Sequence, residues 1–103
     1  MTFNKYKAVR TIVDGIKFPS KREARRYGEL KILERYKQIH NLRLQVRYPI
    51  IVQGIKICTY VADFVYSESG QEIVEDSKGM RTPTYRLKAK LMLACYGIKI
   101  KET

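Results

Sequence analysis

The sequence predicts an α/β or α+β domain built on a mixed sheet. Three observations carry this. Apolar residues alternate in several runs separated by short polar or glycine-containing turns. Two other segments repeat their apolar residues at the helical period and carry helix-ending residues. A last β-rich run follows the second helix, so a helical crossover must return it to the sheet. The order is hairpin, helix, three strands, helix, strand.

The run Tyr6–Val13, the pair Asp14-Gly15 and Ile16-Lys17-Phe18 read as a short hairpin with a tight turn. The first helix opens on Ser20 as N-cap. Its buried stripe is Ala24, Tyr27, Leu30, Leu33 and Tyr36, and it ends near Gln38. Leu42 to Val52 is β-like, and Pro49 within it implies an edge position or a bulge. Gln53-Gly54 turns the chain into Ile55–Tyr66, and the polar segment Ser67 to Gln71 leads into Glu72–Ser77. The second helix has Thr82 as N-cap, Pro83 at its first position and Gly97 just past its end, with Leu87, Leu91 and Ala94 as the buried stripe. Ile98-Lys99-Ile100 is the expected last strand.

The 103 residues suffice for one domain. No apolar stretch is long enough to span a membrane, and Met1 to Lys7 lacks the apolar run of a secretory signal, so a cytoplasmic location is expected. Cys58 and Cys95 lack metal-ligand spacing and read as reduced core residues. His40 is the single histidine, which argues against nucleases built on paired histidines and against a Ser-His-Asp or Cys-His mechanism. Carboxylates and lysines remain for any chemistry. The net charge of +11 points to a polyanionic partner, nucleic acid before an anionic membrane surface.

Asp63 interrupts the otherwise buried run Thr59–Tyr66. An unpaired carboxylate there costs several kcal/mol or takes up a proton. Folding Ile55–Tyr66 onto Glu72–Ser77 about Ser69 and Gly70 pairs Tyr66 with Ile73, Phe64 with Glu75 and Asp63 with Asp76. Opposed residues share a face at about 5 Å between Cβ atoms, and Lys78 joins them by the period of two. Two facing carboxylates call for a cation, a divalent metal or in part Lys78. Glu75 falls on the other face, with a structural or surface role. The plainer alternative pairs a buried Asp63 with Lys78 and leaves Asp76 to start a loop before Gly79.

Asp63 followed by Asp76-Ser77-Lys78, behind a helix bearing Glu23, resembles the PD-(D/E)XK nuclease superfamily. The wider layout Ser20–Tyr27, Ala62-Asp63-Phe64 and Val74–Gly79 is similar to small phage and prophage nucleases related to Holliday junction resolvases, over almost the whole chain. Ala62 stands where the motif name has proline, a position without a metal-binding side chain. The resemblance implies a restriction-endonuclease-like α-β-β-β-α-β core and a phage-type endodeoxyribonuclease that hydrolyses DNA phosphodiester bonds in the host cytoplasm. It implies Mg²⁺, with Mn²⁺ able to substitute, held by Asp63, Asp76, the Ser77 carbonyl and Glu23. Lys78 then orients the attacking water or stabilises charge on the phosphorane-like transition state.

Glu23 keeps two readings. Ser20-x-x-Glu23 is a capping box, which alone explains it; in the superfamily a glutamate on this helix faces the metal. It lies on the side of Tyr27 and Leu30, whereas Glu29 faces solvent. Lys21, Arg22, Arg25 and Arg26 around the first helix and Arg81, Arg86, Lys88 and Lys90 around the second are the expected DNA-backbone contacts. Tyr27, Tyr36 and Tyr85 read as core or rim. Cutting both strands would need a homodimer, since one chain offers one site. The alternatives to an enzyme are a non-catalytic nucleic-acid-binding module and a subunit of a larger nuclease assembly.

Overall fold

Three X-Gly pairs fold the chain back on itself. Asp14-Gly15, Gln53-Gly54 and Ser69-Gly70 each place two successive residues at positive φ, between 50° and 80°. This is the backbone of a type I′ turn, whose twist matches that of the strands it joins. The structure, a computed structural model, describes residues 10–103. The first turn joins β1 (Thr11–Val13) to β2 (Ile16–Phe18), and the part of the expected strand from Tyr6 to Val9 lies outside the described residues. The second joins β3 (His40–Val52) to β4 (Ile55–Glu68), and the third joins β4 to β5 (Gln71–Asp76).

The main sheet runs β3-β4-β5-β6, antiparallel except that β6 (Lys101–Glu102) lies parallel to β5. With its N-terminal hairpin and two helices, the fold is α+β around a mixed sheet, as the sequence predicts. The crossover between β5 and β6 is α2 (Pro83–Tyr96), capped by the Thr82 hydroxyl on the Tyr85 N–H and ended by left-handed Gly97. Pro49 lies on the outer strand β3, one residue before a register shift between Ile50 and Ile51.

Several expected boundaries and faces differ. Helix α1 (Lys21–Arg35) stops before Gln38, and Tyr36 is a 70 % exposed C-cap rather than a stripe residue. The Glu34 carboxylate then receives the Leu42 N–H at 3.0 Å, which ties the helix end to β3. The last strand is Lys101–Glu102, not Ile98–Ile100; Ile98 and Ile100 instead pack against the core on the way into it. On α2 the buried stripe is Tyr85, Ala89 and Met92, with Leu91 beside it, while Leu87 and Ala94 are exposed. The expected stripe has the same i, i+4, i+7 spacing but starts two residues later, about 200° around the helix. Cys95 is exposed and Cys58 half-buried, so neither is a full core residue, and both are free thiols.

The core divides in two. One cluster gathers Phe18, Ala24, Tyr27, Leu30, Ile39, Phe64 and Tyr66 beneath α1; the other gathers Ile50, Tyr60, Ala62, Val65, Val74, Tyr85 and Met92 beneath α2. Along β3, Leu44 belongs to the first and Val46 to the second; along β4, Ala62 belongs to the second and Phe64 to the first. An unbroken period of two would keep each of these pairs on one face. Both strands therefore change phase at one level, between the pairs Leu44–Phe64 and Val46–Ala62. The residues at that level are Gln45, left-handed at φ 52°, and Asp63.

Candidate functional site

Asp63 thus sits at the seam between the two cores, where β4 faces neither helix squarely. The β4–β5 register is the one expected, with Tyr66 opposite Ile73 and Phe64 opposite Glu75, and the ladder stops there. Asp63 and Asp76 come one step later as an unladdered pair. The Ser77 N–H donates instead to Asp63 Oδ2 at 2.9 Å. Gln45 Nε2 stands 3.5 Å from Asp63 Oδ1.

Asp76 is 1 % exposed and faces the α2 side. Its Oδ2 receives the Tyr60 hydroxyl at 2.5 Å and lies 3.4 Å from Lys78 Nζ. Its Oδ1 is buried with no hydrogen-bond partner, as is the Ser77 hydroxyl. Lys78 Nζ also sits 4.4 Å over the Tyr85 ring, which fixes the ammonium beside the acid. Glu23, in the first turn of α1, is 6 % exposed, and its N–H donates to the Ser20 hydroxyl at 3.2 Å.

The electrostatics register the convergence. Burial, then contact with Asp76 and its charge, push the Asp63 carboxyl up to about 8, against the pull of the Ser77 N–H. Burial raises Glu23 as well, followed by the charge of Asp76, with Lys78 opposing. Glu23, Asp63, Asp76 and Lys78, drawn from α1, β4 and the end of β5, therefore sense one another. Among the described residues, no three carboxylate, histidine or cysteine side chains form a ready-made metal shell. What the site offers is hard oxygen donors, one of them buried and unsatisfied.

Glu75 turns the other way. Fully buried, it accepts from Arg26 Nε at 2.6 Å and Nη2 at 3.0 Å, from the Tyr66 hydroxyl at 2.6 Å and from the Thr103 hydroxyl at 3.1 Å. Burial would raise its pKa, but these donors outweigh it and the net shift is downward. Arg26 is accordingly engaged inside the protein, with Glu29 as a further partner at 3.4 Å. Arg22 reaches the Thr103 carbonyl, Arg81 pairs with Glu102 and Lys88 donates to the Thr59 carbonyl. Lys21, Arg25, Arg86 and Lys90 are exposed.

Three openings surround the acids. A cavity of about 470 Å³ is lined by Arg22, Arg25, Arg26, Glu29, Ser77 and Thr103. A second, of about 240 Å³, includes Tyr60, Asp76, Lys78, Thr82, Tyr85 and Lys88. A third, of about 500 Å³, runs from Ile16, Phe18 and Leu44 to Gln45, Glu23 and Asp63.

Sequence reasoning missed Tyr60, Tyr85 and Gln45 at the site, and Tyr66 as the partner of Glu75 away from it. Tyr60 and Tyr66 lie in a run expected to be buried and Tyr85 reads as core or rim, and all three are buried. The available signal was that a buried phenol needs an acceptor and a buried acid needs donors, so the two belong together. Gln45 carries no signal, since its backbone angle follows from a phase change that only pairing reveals.

The fold and site define an α+β protein with a mixed sheet, bearing a cluster of acids and one lysine where β5 leaves the sheet. The chain belongs to DUF1064, a family described as protein of unknown function, which matches it over residues 3–102. No curated protein and no solved structure gives a significant match. Among the described residues, no helix is long and apolar enough to cross a membrane.

Proposed function

We propose that the chain is a Mg²⁺-dependent endodeoxyribonuclease of the PD-(D/E)XK type. The observation that carries this reading is the meeting of Asp63, Asp76 and Lys78 with Glu23, where Asp76 Oδ1 is buried and unpartnered. Mg²⁺ suits such a site, because it commonly takes one or two carboxylates and fills its other positions with water and substrate phosphate. Asp76, Asp63 and the Ser77 carbonyl would hold it, with Glu23 as a further oxygen ligand and Mn²⁺ as a substitute. When bound, the metal supplies Lewis acidity and a nucleophilic water at neutral pH. Lys78, fixed by Asp76 and Tyr85, brings positive charge to the reacting phosphate. Arg22 and Arg25 beside Ser77 and Lys88 beside Asp76 flank the acids and suit neighbouring backbone phosphates. Branched DNA, a homodimer for paired cuts and a cytoplasmic setting belong to the same proposal.

The experiment is incubation of junction, flap, duplex and single-stranded DNA with Mg²⁺ or Mn²⁺, with Ca²⁺ to separate binding from cutting. Cleavage by the native chain and its loss in Asp76→Ala support the proposal. No cleavage of any substrate overturns the enzyme, and undiminished cutting by Asp76→Ala overturns the site. A second reading, a non-catalytic basic module, is favoured by the Lys78–Asp76 ion pair and by the lack of a three-ligand shell among the described residues. It predicts DNA binding that is indifferent to the metal and to Asp76→Ala.

A further inference from the structure

Glu75 and Asp76 are neighbours, both almost fully buried, and each receives a hydroxyl from a tyrosine of β4. Their oxygens are treated very differently. Tyr66, both guanidinium contacts of Arg26 and Thr103 satisfy the two oxygens of Glu75. At Asp76 the Tyr60 hydroxyl and the Lys78 ammonium both converge on Oδ2 and neither reaches Oδ1; the side chain's other contact is the carboxyl of Asp63, itself a proposed ligand. A buried carboxylate oxygen without a donor costs free energy. A purely structural acid in this place would resemble its neighbour.

The tyrosine that creates the asymmetry is rigidly held. Tyr60 is 2 % exposed, packs with Ile50, Ala62 and Met92, and its ring lies 6.4 Å from that of Tyr48. Its hydroxyl is therefore set in place before any ligand arrives. Outer groups of this kind orient the carboxylates that bind metals.

We infer that Tyr60 is a positioning residue of the site: by holding Oδ2 of Asp76 it presents Oδ1 to a divalent cation. The inference rests on the metal-dependent reading above. It assigns a task to a hydroxyl that touches neither substrate nor metal, and it separates the two tyrosines of β4, Tyr66 serving the ion pair with Arg26 and Tyr60 serving the ligand.

The test is calorimetric titration of the full chain with Mn²⁺ alone, in the native protein, Tyr60→Phe and Tyr66→Phe, with thermal melting of each. Tyr60→Phe should weaken Mn²⁺ binding about tenfold, within the range for outer groups. Tyr66→Phe should lower the melting temperature and leave Mn²⁺ affinity unchanged. Equal affinity in Tyr60→Phe and the native chain overturns this inference while the nuclease reading stands. Equal losses in both variants also overturn it, since they report general loosening. If the native chain binds no Mn²⁺, both readings fall. Should Tyr60→Phe not fold, fluorotyrosine NMR of the native chain reads the same contact. Mg²⁺ should then shift the Tyr60 resonance and not that of Tyr66, and an unmoved Tyr60 signal overturns the inference.

Discussion

The Ser77 N–H donates to Asp63 Oδ2 at 2.9 Å, so the backbone of the Asp76-Ser77-Lys78 triplet itself reaches across to the acid of β4. This bond favours the ionised form of Asp63, but burial and the nearby Asp76 overcome it and hold the carboxyl at about 8. A raised acid binds its proton more tightly in the folded chain than in the unfolded one. Its contribution to stability is full below the ordinary carboxyl range and is lost as pH rises through about 8. A cation must displace that proton, so metal affinity moves the other way and rises from pH 6 to 8. Calorimetry of Mn²⁺ binding in buffers of different ionisation enthalpy should register proton release at pH 7. Asp63→Asn should abolish that release and flatten the decline of stability toward pH 8. Proton-free binding at pH 7 would refute the raised Asp63.

Arg26 was expected on DNA for its place in a basic run, yet its guanidinium closes on Glu75 at 2.6 Å and 3.0 Å. Removing one partner of a buried ion pair strands the other. Arg26→Ala should therefore cost about 3–5 kcal/mol of stability by urea denaturation, which identifies it as a clamp between α1 and β5. Because the net shift of Glu75 is downward, the contribution of its carboxylate is present above the usual glutamate range and is lost as pH falls through its depressed value. Replacing Arg26 and Glu75 together by Met and Leu should cost much less than Arg26→Ala. A double variant as unstable as the single one would contradict this account.

What was legible in the sequence, and what was not, follows from the range of the interactions. Thr82, Pro83 and Gly97 act within one turn of the chain, and each stands where its own chemistry implies. The Ser69-Gly70 turn sets the register that brings Asp63 toward Asp76, so that convergence was readable as well. The stripe of α2 was not, because Leu87 and Tyr85 are both apolar enough to be buried, and the tertiary partner of Tyr85, Glu102, lies 17 residues on. The Arg26–Glu75 pair spans 49 residues and links two elements that local pattern treats independently. A basic run looks the same whether its charges face solvent or an internal acid.

Gln45 lies within β3 at φ 52°, where its side chain approaches Asp63 and the strand exchanges one core for the other. A left-handed backbone costs an L-residue roughly 1–2 kcal/mol, and a β-branched one suffers most. Gln45 already bears that cost, so Gln45→Val should destabilise the fold by the added strain of its branched Cβ, on the order of 1 kcal/mol in urea denaturation. Gln45→Gly, which adopts the conformation freely, should stay within about 1 kcal/mol of the native chain. If the Val variant is as stable as the Gly variant, the left-handed backbone is not required for the phase change.

Arg25 is exposed on the cavity that also holds Ser77, whereas Arg81 on the α2 side is paired with Glu102 at 2.5 Å. A free guanidinium can release a counterion from DNA, while one already neutralised by a carboxylate gains less by moving. In Ca²⁺, Arg25→Ala should weaken binding to all DNA sequences alike and reduce the slope of log affinity against log salt by about one. Arg81→Ala should change the slope less. Fluorescence anisotropy across a salt series measures both. An unchanged slope for Arg25→Ala would remove Arg25 from the DNA-binding surface and leave the backbone contacts to the other exposed basic residues of the two helices.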